Sequence, residues 1–305
     1  MTKTGVLVMA YGTPSSRAEV AGYYTRIRHG RAPTDEQLAD LVRRYDAIGG
    51  ISPLAERTAA QVAGLSAALE ERRPRTFDVR FGAKYADPDI EITARSFVDD
   101  EIDTVVGLAL TPHASSMSTG EYLSRAEGAL DEKATLLKIE HWYDAPGFAE
   151  LIAARVDEAL DDLDPAVKSD ALVLFTAHSL PARILDVGDR YPEQVAESAQ
   201  QVATAAGLGA FEVAWQSAGR TPEPWIGPDI LEVIAALPDR GVRAVIICPI
   251  GFVADHLEVL YDVDVEAARV AAEAGVALSR TRSLNDDPAF LDLLAERVLA
   301  AVDGR

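Results

Sequence analysis

The sequence holds one cysteine, Cys248, among 305 residues. One thiol cannot close an intrachain disulfide or build a Cys-rich zinc or iron–sulfur site from this chain alone, and such sparse use points to the cytosol. Positive charge is scarce as well: 29 Lys and Arg face 49 Asp and Glu, a formal net charge of −20. A field of that sign repels nucleic-acid phosphates and anionic lipid headgroups, so an anionic partner has to be met by a local basic patch. Long apolar runs are missing. The longest uncharged one, 244–254, contains Pro249 and falls well short of the ~18 residues that span a bilayer. The opening MTKTGVLVMAYGTP has too short an apolar core, and no small-residue cleavage pattern, for a signal peptide. The chain contains no low-complexity tract and no heptad array. Its Gly49-Gly50 pair lacks the spacing and the preceding strand of a dinucleotide loop, so oxidoreductase and NTPase readings find no support.

What is present is the profile of an ordinary globular protein, with 48% apolar and 26% charged residues, 21 Gly and 16 Pro. Short β-branched apolar runs alternate with stretches of helical periodicity, the pattern of βα units around parallel sheets. Eight strands are predicted, at 5–10, 77–83, 104–110 and 135–140, then at 171–176, 211–215, 244–250 and 276–280. Helical segments include 35–47, 54–73, 148–163, 192–205, 231–237 and 256–274. VLVMAYGTP in the first half is echoed by LVLFTAHSLP in the second, which suggests an internal duplication. The division is expected near Pro146, giving domains 1–145 and 146–305, with the last helix, 288–301, free to pack on either half. In such sheets ligands bind beyond the carboxyl ends of strands. Tyr11, Pro112 with His113, His178, Ser217 and the Gly251 region occupy such positions.

His178 follows an apolar strand, where an imidazole can accept a proton or bind a metal, or simply be a buried histidine bonded to backbone. Glu258, Asp262 and Glu266 are spaced i, i+4, i+8, so an α-helix would line them along one face with about 40° of drift per step. They form either a solvated acidic face or a row of oxygen ligands suited to Mg²⁺, or to Fe²⁺ where a histidine joins. AGYYTRIRHGR, 21–31, carries three arginines and a histidine with no acid, and Arg43 and Arg44 follow. These arginines either bind an anion, for which the planar guanidinium fork is suited, or answer acidic helices by ordinary salt bridges. In IGGISPLAE, Ser52 reads as a helix cap with Pro53 at the first helical position. Trp142, Trp215 and Trp225 read as core or wall residues, and Cys248 as a buried inert thiol.

The stretches MAYGTP (9–14), YYTRIRHGR (23–31), RYDAIGGISPLAE (44–56), GAKYADP (82–88), TAHSLP (176–181), WQSAGRTPEPWIGP (215–228) and GFVADHLEVLYDVDVE (251–266) are collinear over almost the whole chain. Together they resemble ferrochelatases, and among these the bacterial form that inserts iron into coproporphyrin III. The resemblance implies an α/β fold of two similar doubly wound, Rossmann-like domains, each with a parallel four-stranded sheet, and a porphyrin cleft between them. It implies a lyase-class metal chelatase of haem biosynthesis. His178 and Glu258 then match the pair at the porphyrin's centre, as Fe²⁺ ligand and proton acceptor, and Asp262 and Glu266 match an acidic ladder that holds an outer divalent ion, such as Mg²⁺, with Arg44. Tyr11 matches a tyrosine over the opposite macrocycle face. Arg28, Arg44, Ser52 and Tyr122 match propionate-binding positions, Gln61 and Ser217 are weaker candidates, and Lys84 with Tyr85 match a polar pair at the cleft mouth. Ala114 departs from the aromatic residue of many relatives, and a chain whose only cysteine is Cys248 should lack the 2Fe–2S cluster that some of them carry.

The alternatives are protoporphyrin IX ferrochelation, cobalt insertion into sirohydrochlorin, and a non-catalytic porphyrin or haem carrier. Protoporphyrin users commonly present an apolar, membrane-engaging lip, whereas RHGRAPTDEQ here is polar, which favours a four-propionate substrate. Intact His178 and Glu258 argue against a carrier. The expected protein is a cytoplasmic monomer without nucleic-acid binding or membrane insertion, open to transient contact with neighbouring haem-pathway enzymes. It should carry two opposed local fields, a basic rim for propionates and an acidic row for the metal.

Overall fold

The computed structural model describes residues 3–219 and 221–304. Arg220 of the WQSAGRTPEPWIGP stretch lies outside them, as do the first two residues of the MTKTGVLV segment. The strands are β1 (Thr4–Ala10), β2 (Phe77–Ala83), β3 (Thr104–Ala109), β4 (Thr135–Ile139), β5 (Ala171–His178), β6 (Phe211–Gln216), β7 (Ala244–Cys248) and β8 (Ala277–Arg280). They form two all-parallel sheets with the same order, β2-β1-β3-β4 and β6-β5-β7-β8. Interior strands of a parallel sheet covered on both faces should be continuously apolar. That is why 5–9 in β1, all of β3, 172–177 in β5 and all of β7 are buried. The repeated order makes β5 the counterpart of β1, which accounts for the echo between VLVMAYGTP and LVLFTAHSLP. In each sheet the connections leave the first strand in one direction and reach the third in the other, and strand ends at such a reversal are where open α/β sheets hold ligands.

The helices are α1 (Val20–Ile27), α2 (Asp35–Ala47), α3 (Leu54–Arg72), α4 (Ile90–Asp99), α5 (Thr119–Leu130), α6 (Phe148–Asp161), α7 (Pro165–Lys168), α8 (Tyr191–Ala205), α9 (Ile230–Ala236), α10 (Leu257–Leu260), α11 (Ala268–Ala274) and α12 (Pro288–Asp303). Side chains set several starts: Thr34 and Gln37 form a capping box on α2, and Asp89, Asp229 and Asp287 cap α4, α9 and α12. Among the described residues, no helix is long and apolar enough to cross a membrane.

The chain divides into two compact units, one ending at Ala145 but also taking in everything from Leu284 onward, the other Pro146–Ser283. In the first, Leu7, Met9, Ile90, Phe97 and Leu123 form a core. There α12 lies against α3, with Arg72 bonded to Asp292 at 3.0 Å and Glu296 at 2.8 Å. Phe290 meets the buried Trp142 ring at 5.5 Å, and Trp142 Nε1 donates to the Ala109 carbonyl at 2.9 Å. In the second unit, Leu174, Ile234, Val245, Ile247 and Val263 form the core.

Most element bounds move by a residue or two from the sequence expectation, and two of the departures have a hydrogen-bonding cause. The segment expected as one α-helix over 256–274 is α10, a π-helical stretch Asp262–Ala267, and α11. Its ladder is widened where the Glu266 N–H reaches back five residues to the Tyr261 carbonyl at 2.9 Å. Strand β8 starts after Val276, because the Val276 N–H is used at 2.9 Å by the Ala271 carbonyl, closing α11 around Gly275 at φ 69°.

Candidate active site

His178 is the last residue of β5 rather than the first beyond it, and its ring is partly exposed. Its Nδ1 faces the Ser179 carbonyl, which can only accept, so Nδ1 carries the proton and Nε2 is the nitrogen left to titrate. Nε2 lies 3.5 Å from Glu258 Oε1. On the other side, Glu258 Oε2 lies 3.7 Å from Nε2 of His256, whose Nδ1 is 2.8 Å from the Ala254 carbonyl. Glu258 therefore stands between two imidazoles. Tyr191 completes the cluster by donating from its hydroxyl to the His178 carbonyl at 3.0 Å.

A glycine makes this meeting possible. The Gly251 N–H donates to the Thr176 carbonyl at 3.1 Å, and a Cβ at 251 would stand 2.6 Å from Ala177 Cβ and 2.9 Å from its Cα. Only a residue without a side chain lets the loop after β7 come this close to the end of β5.

Burial of the His178 imidazole opposes its charging, but the neighbouring Glu258 carboxylate outweighs that and pushes the ring up to about 9. Burial likewise works to raise Glu258, yet the two histidines hold it well below the usual carboxylate range. At neutral pH the pair is imidazolium and carboxylate.

The acidic row is present but is not an α-helical face. Asp262 and Glu266 sit on the π-helical stretch, where the widened turn replaces the regular drift expected from the spacing. Asp262 is buried and accepts from the Ser217 hydroxyl, while Asp264 pairs with Arg280 at 2.6 Å. An all-oxygen pair such as Asp262 and Glu266 suits a hard ion like Mg²⁺. Among the described residues, no group of three or more His, Cys, Asp or Glu side chains has the arrangement of a metal-ion site.

In the first unit, Tyr11 follows β1 and is 41% exposed. Its ring meets the edge of Tyr85 at 4.9 Å, and the Tyr85 and Lys84 N–H groups donate to the Tyr11 and Ala10 carbonyls at 3.0 and 2.9 Å. The Lys84 ammonium, almost fully buried, is 2.6 Å from Glu121 and lies 5.0 and 5.8 Å from the Tyr85 and Tyr122 rings. Arg125 grips Glu91 through two bonds of 2.6 and 2.7 Å and donates to the Lys84 carbonyl at 3.1 Å. Tyr85 and Tyr122 are thus arranged about one pinned lysine, and Tyr11 packs on Tyr85.

The basic cluster is less free than its composition suggests. Arg26 pairs with Asp87 at 3.1 Å, and Arg43 and Arg44 share Asp40. Arg28 and Arg31 instead bond each other's carbonyls at 3.3 and 3.4 Å, and among the described residues no carboxylate pairs with either. Ser52 is buried and its hydroxyl accepts the Leu54 N–H at 3.2 Å. The helix begins at Leu54 with Pro53 in the capping position, one residue later than expected. Gln61 is buried and donates to the Asn285 carbonyl at 2.9 Å, a link within the scaffold.

Other positions singled out in the sequence have structural roles. His113 is buried against Tyr143 at 5.5 Å, and burial, with His141 nearby, lowers it to about 3, so it stays neutral. Cys248 is buried and its thiol is pushed up to about 12 by that burial. His256, Gln216, Glu121 and Arg125 were not singled out by sequence reasoning. For His256 the His-x-Glu spacing at the start of α10 was the available signal.

The strand order β2-β1-β3-β4, repeated in the second sheet beside the His178–Glu258 pair, is the fold of chelatase-like proteins. In fold the chain resembles SirB from Bacillus subtilis, described with Fe³⁺, at TM-score 0.60 and 13% identity, covering 99% of this chain and 98% of that one. It resembles equally a multi-domain Deinococcus radiodurans protein with structural similarity to chelatases, also at TM-score 0.60 and 13% identity, covering 100% of this chain and 56% of the other. The chain belongs to the ferrochelatase family, whose profile matches residues 3–302. A ferrochelatase of Herpetosiphon aurantiacus is 45% identical over 295 residues, 96% of this chain and 97% of its own length. Coproporphyrin III ferrochelatases of Geobacillus kaustophilus and Bacillus subtilis are each 42% identical, covering 97% of this chain and 95% and 97% of their own lengths.

Proposed function

We propose that this protein inserts Fe²⁺ into coproporphyrin III in haem biosynthesis, as a lyase-class chelatase. The observation that carries the reading is full-length kinship, at 42% identity, with coproporphyrin III ferrochelatases. The His178–Glu258 pair at 3.5 Å supports it chemically.

Insertion removes two pyrrole protons and exchanges the waters of Fe²⁺ for four in-plane nitrogens. A flat macrocycle hides its lone pairs, so binding energy gathered at its periphery is best used to bend it. Arg28, Arg44, Ser52 and Tyr122 hold propionates in this reading, with Arg28, which no carboxylate pairs among the described residues, the best suited, and the exposed Tyr11 ring lies on the macrocycle. Glu258 is ionised at neutral pH and accepts a pyrrole proton. His178 Nε2 is charged before metal arrives. Fe²⁺ beside the ring disfavours the imidazolium, so its proton passes to Glu258 and the nitrogen lone pair becomes available as a ligand; the two pyrrole protons leave through the same carboxylate in turn, each handed outward before the next arrives. Asp262 and Glu266 pass protons outward. The two units act as the two chelatase domains, and the protein works as a cytoplasmic monomer.

His178→Ala and Glu258→Gln are expected to abolish iron insertion while porphyrin binding, followed by fluorescence quenching, stays measurable. Normal turnover in both variants would overturn the assignment.

A further inference from the structure

Gln216 ends β6 in register with His178 of β5, and it is fully buried. Its carbonyl accepts the Ser179 N–H at 2.7 Å, its Oε1 lies 2.8 Å from the Thr176 hydroxyl, and its Nε2 lies 2.9 Å from the Glu258 backbone carbonyl. The Glu258 carbonyl can only accept, so the amide nitrogen must face it, and the Thr176 hydroxyl is then the donor to Oε1. One amide therefore joins both sides of the catalytic pair. Thr176 and Ser179 bracket His178, and the third partner is the backbone of Glu258 itself.

The next residue extends the link. Consecutive side chains of a strand point to opposite faces, so Gln216 and Ser217 would not both reach one helix from regular strand geometry. Ser217 takes φ 61°, in the left-handed region, and its hydroxyl bonds Asp262 while Gln216 bonds Glu258. A non-glycine residue persists in that conformation when its surroundings over-determine it. Two adjacent residues thus hold Glu258 and Asp262, one turn apart, to the end of β6.

We propose that Gln216 is a positioning residue that fixes the His178–Glu258 separation, with Thr176 orienting its amide; the inference rests on the proposed function. Gln216→Glu keeps the size and an acceptor but loses the N–H aimed at Glu258. Thr176→Val removes the orienting hydroxyl without adding charge, and Thr176→Ser restores it. Anaerobic initial rates with Fe²⁺ and coproporphyrin III are compared alongside melting temperature and porphyrin affinity. The expected result is a kcat loss of about tenfold or more in Gln216→Glu and severalfold in Thr176→Val, with porphyrin KM within about twofold of wild type and kcat recovered in Thr176→Ser. A loss confined to KM, or wild-type kcat in both folded variants, overturns the proposal. If Gln216→Glu does not fold, equal kcat in Thr176→Val and Thr176→Ser overturns it. Wild-type protein that metallates no coproporphyrin defeats the functional reading and this inference with it, whereas active wild type with unchanged variants defeats the inference alone.

Discussion

Glu258 between His178 and His256 makes the chemistry of the site a matter of one shared charge. Because the carboxylate holds the His178 ring up to about 9, the imidazolium form is favoured in the folded protein, and the stability it contributes is full below the ordinary value of 6.5 and lost as pH rises through 9. Glu258 has the opposite sign, its contribution present above the ordinary carboxylate range and lost in acid. Following the His178 ring by NMR should give a midpoint near 9 in the wild type, moving to or below about 6.5 in Glu258→Gln, where burial acts without the opposing charge. Equal midpoints in the two proteins would show that the carboxylate does not set the ring's charge. Arg28 gives a second prediction at this scale. Its guanidinium has no carboxylate partner among the described residues, so Arg28→Ala should raise porphyrin KM about tenfold and weaken its salt dependence, with kcat little changed. The same change at Arg26, already paired with Asp87, should do much less.

At the scale of elements, the approach of the β7 loop to the end of β5 is the feature most easily broken. Gly251→Ala forces a Cβ against the Ala177 backbone. It should cost about 1–3 kcal/mol, several degrees in melting temperature, and should lower kcat because Ala177 adjoins His178. Asp89→Ala, which removes the Ile92 N–H acceptor capping α4, should cost about 1 kcal/mol with kcat unchanged. A calorimetric scan with parallel rate measurements separates the two. The strands were legible because interior parallel strands must be apolar along their whole length, and β2 and α2 fall on their expected bounds. The π-helical stretch was not, since its residues keep the i, i+4 pattern of an α-helix and differ only in which carbonyl an N–H chooses. His178, Glu258 and Tyr11 were legible from strand-end placement and motif. Gln216, Glu121 and Arg125 were not, because their roles arise from partners 42, 37 and 34 residues away.

For the whole molecule, a net charge of −20 has to coexist with a substrate of four carboxylates. The expected basic rim is narrower than the arginine count implied, since Asp87 pairs with Arg26 and Asp40 is shared by Arg43 and Arg44, with Arg28 and Arg31 as its core. With screening over about 8 Å in physiological salt, two such forks still dominate their own neighbourhood over distant acid. The repeated strand order puts Tyr11 after β1 and His178 at the end of β5, equivalent places in the two units. All of this converges on one reaction, and the direct test is an anaerobic absorbance assay in which Fe²⁺ is offered with coproporphyrin III, protoporphyrin IX and sirohydrochlorin in parallel. The account predicts that coproporphyrin III is metallated fastest; no metallation of coproporphyrin III, with turnover of either other tetrapyrrole, would contradict it.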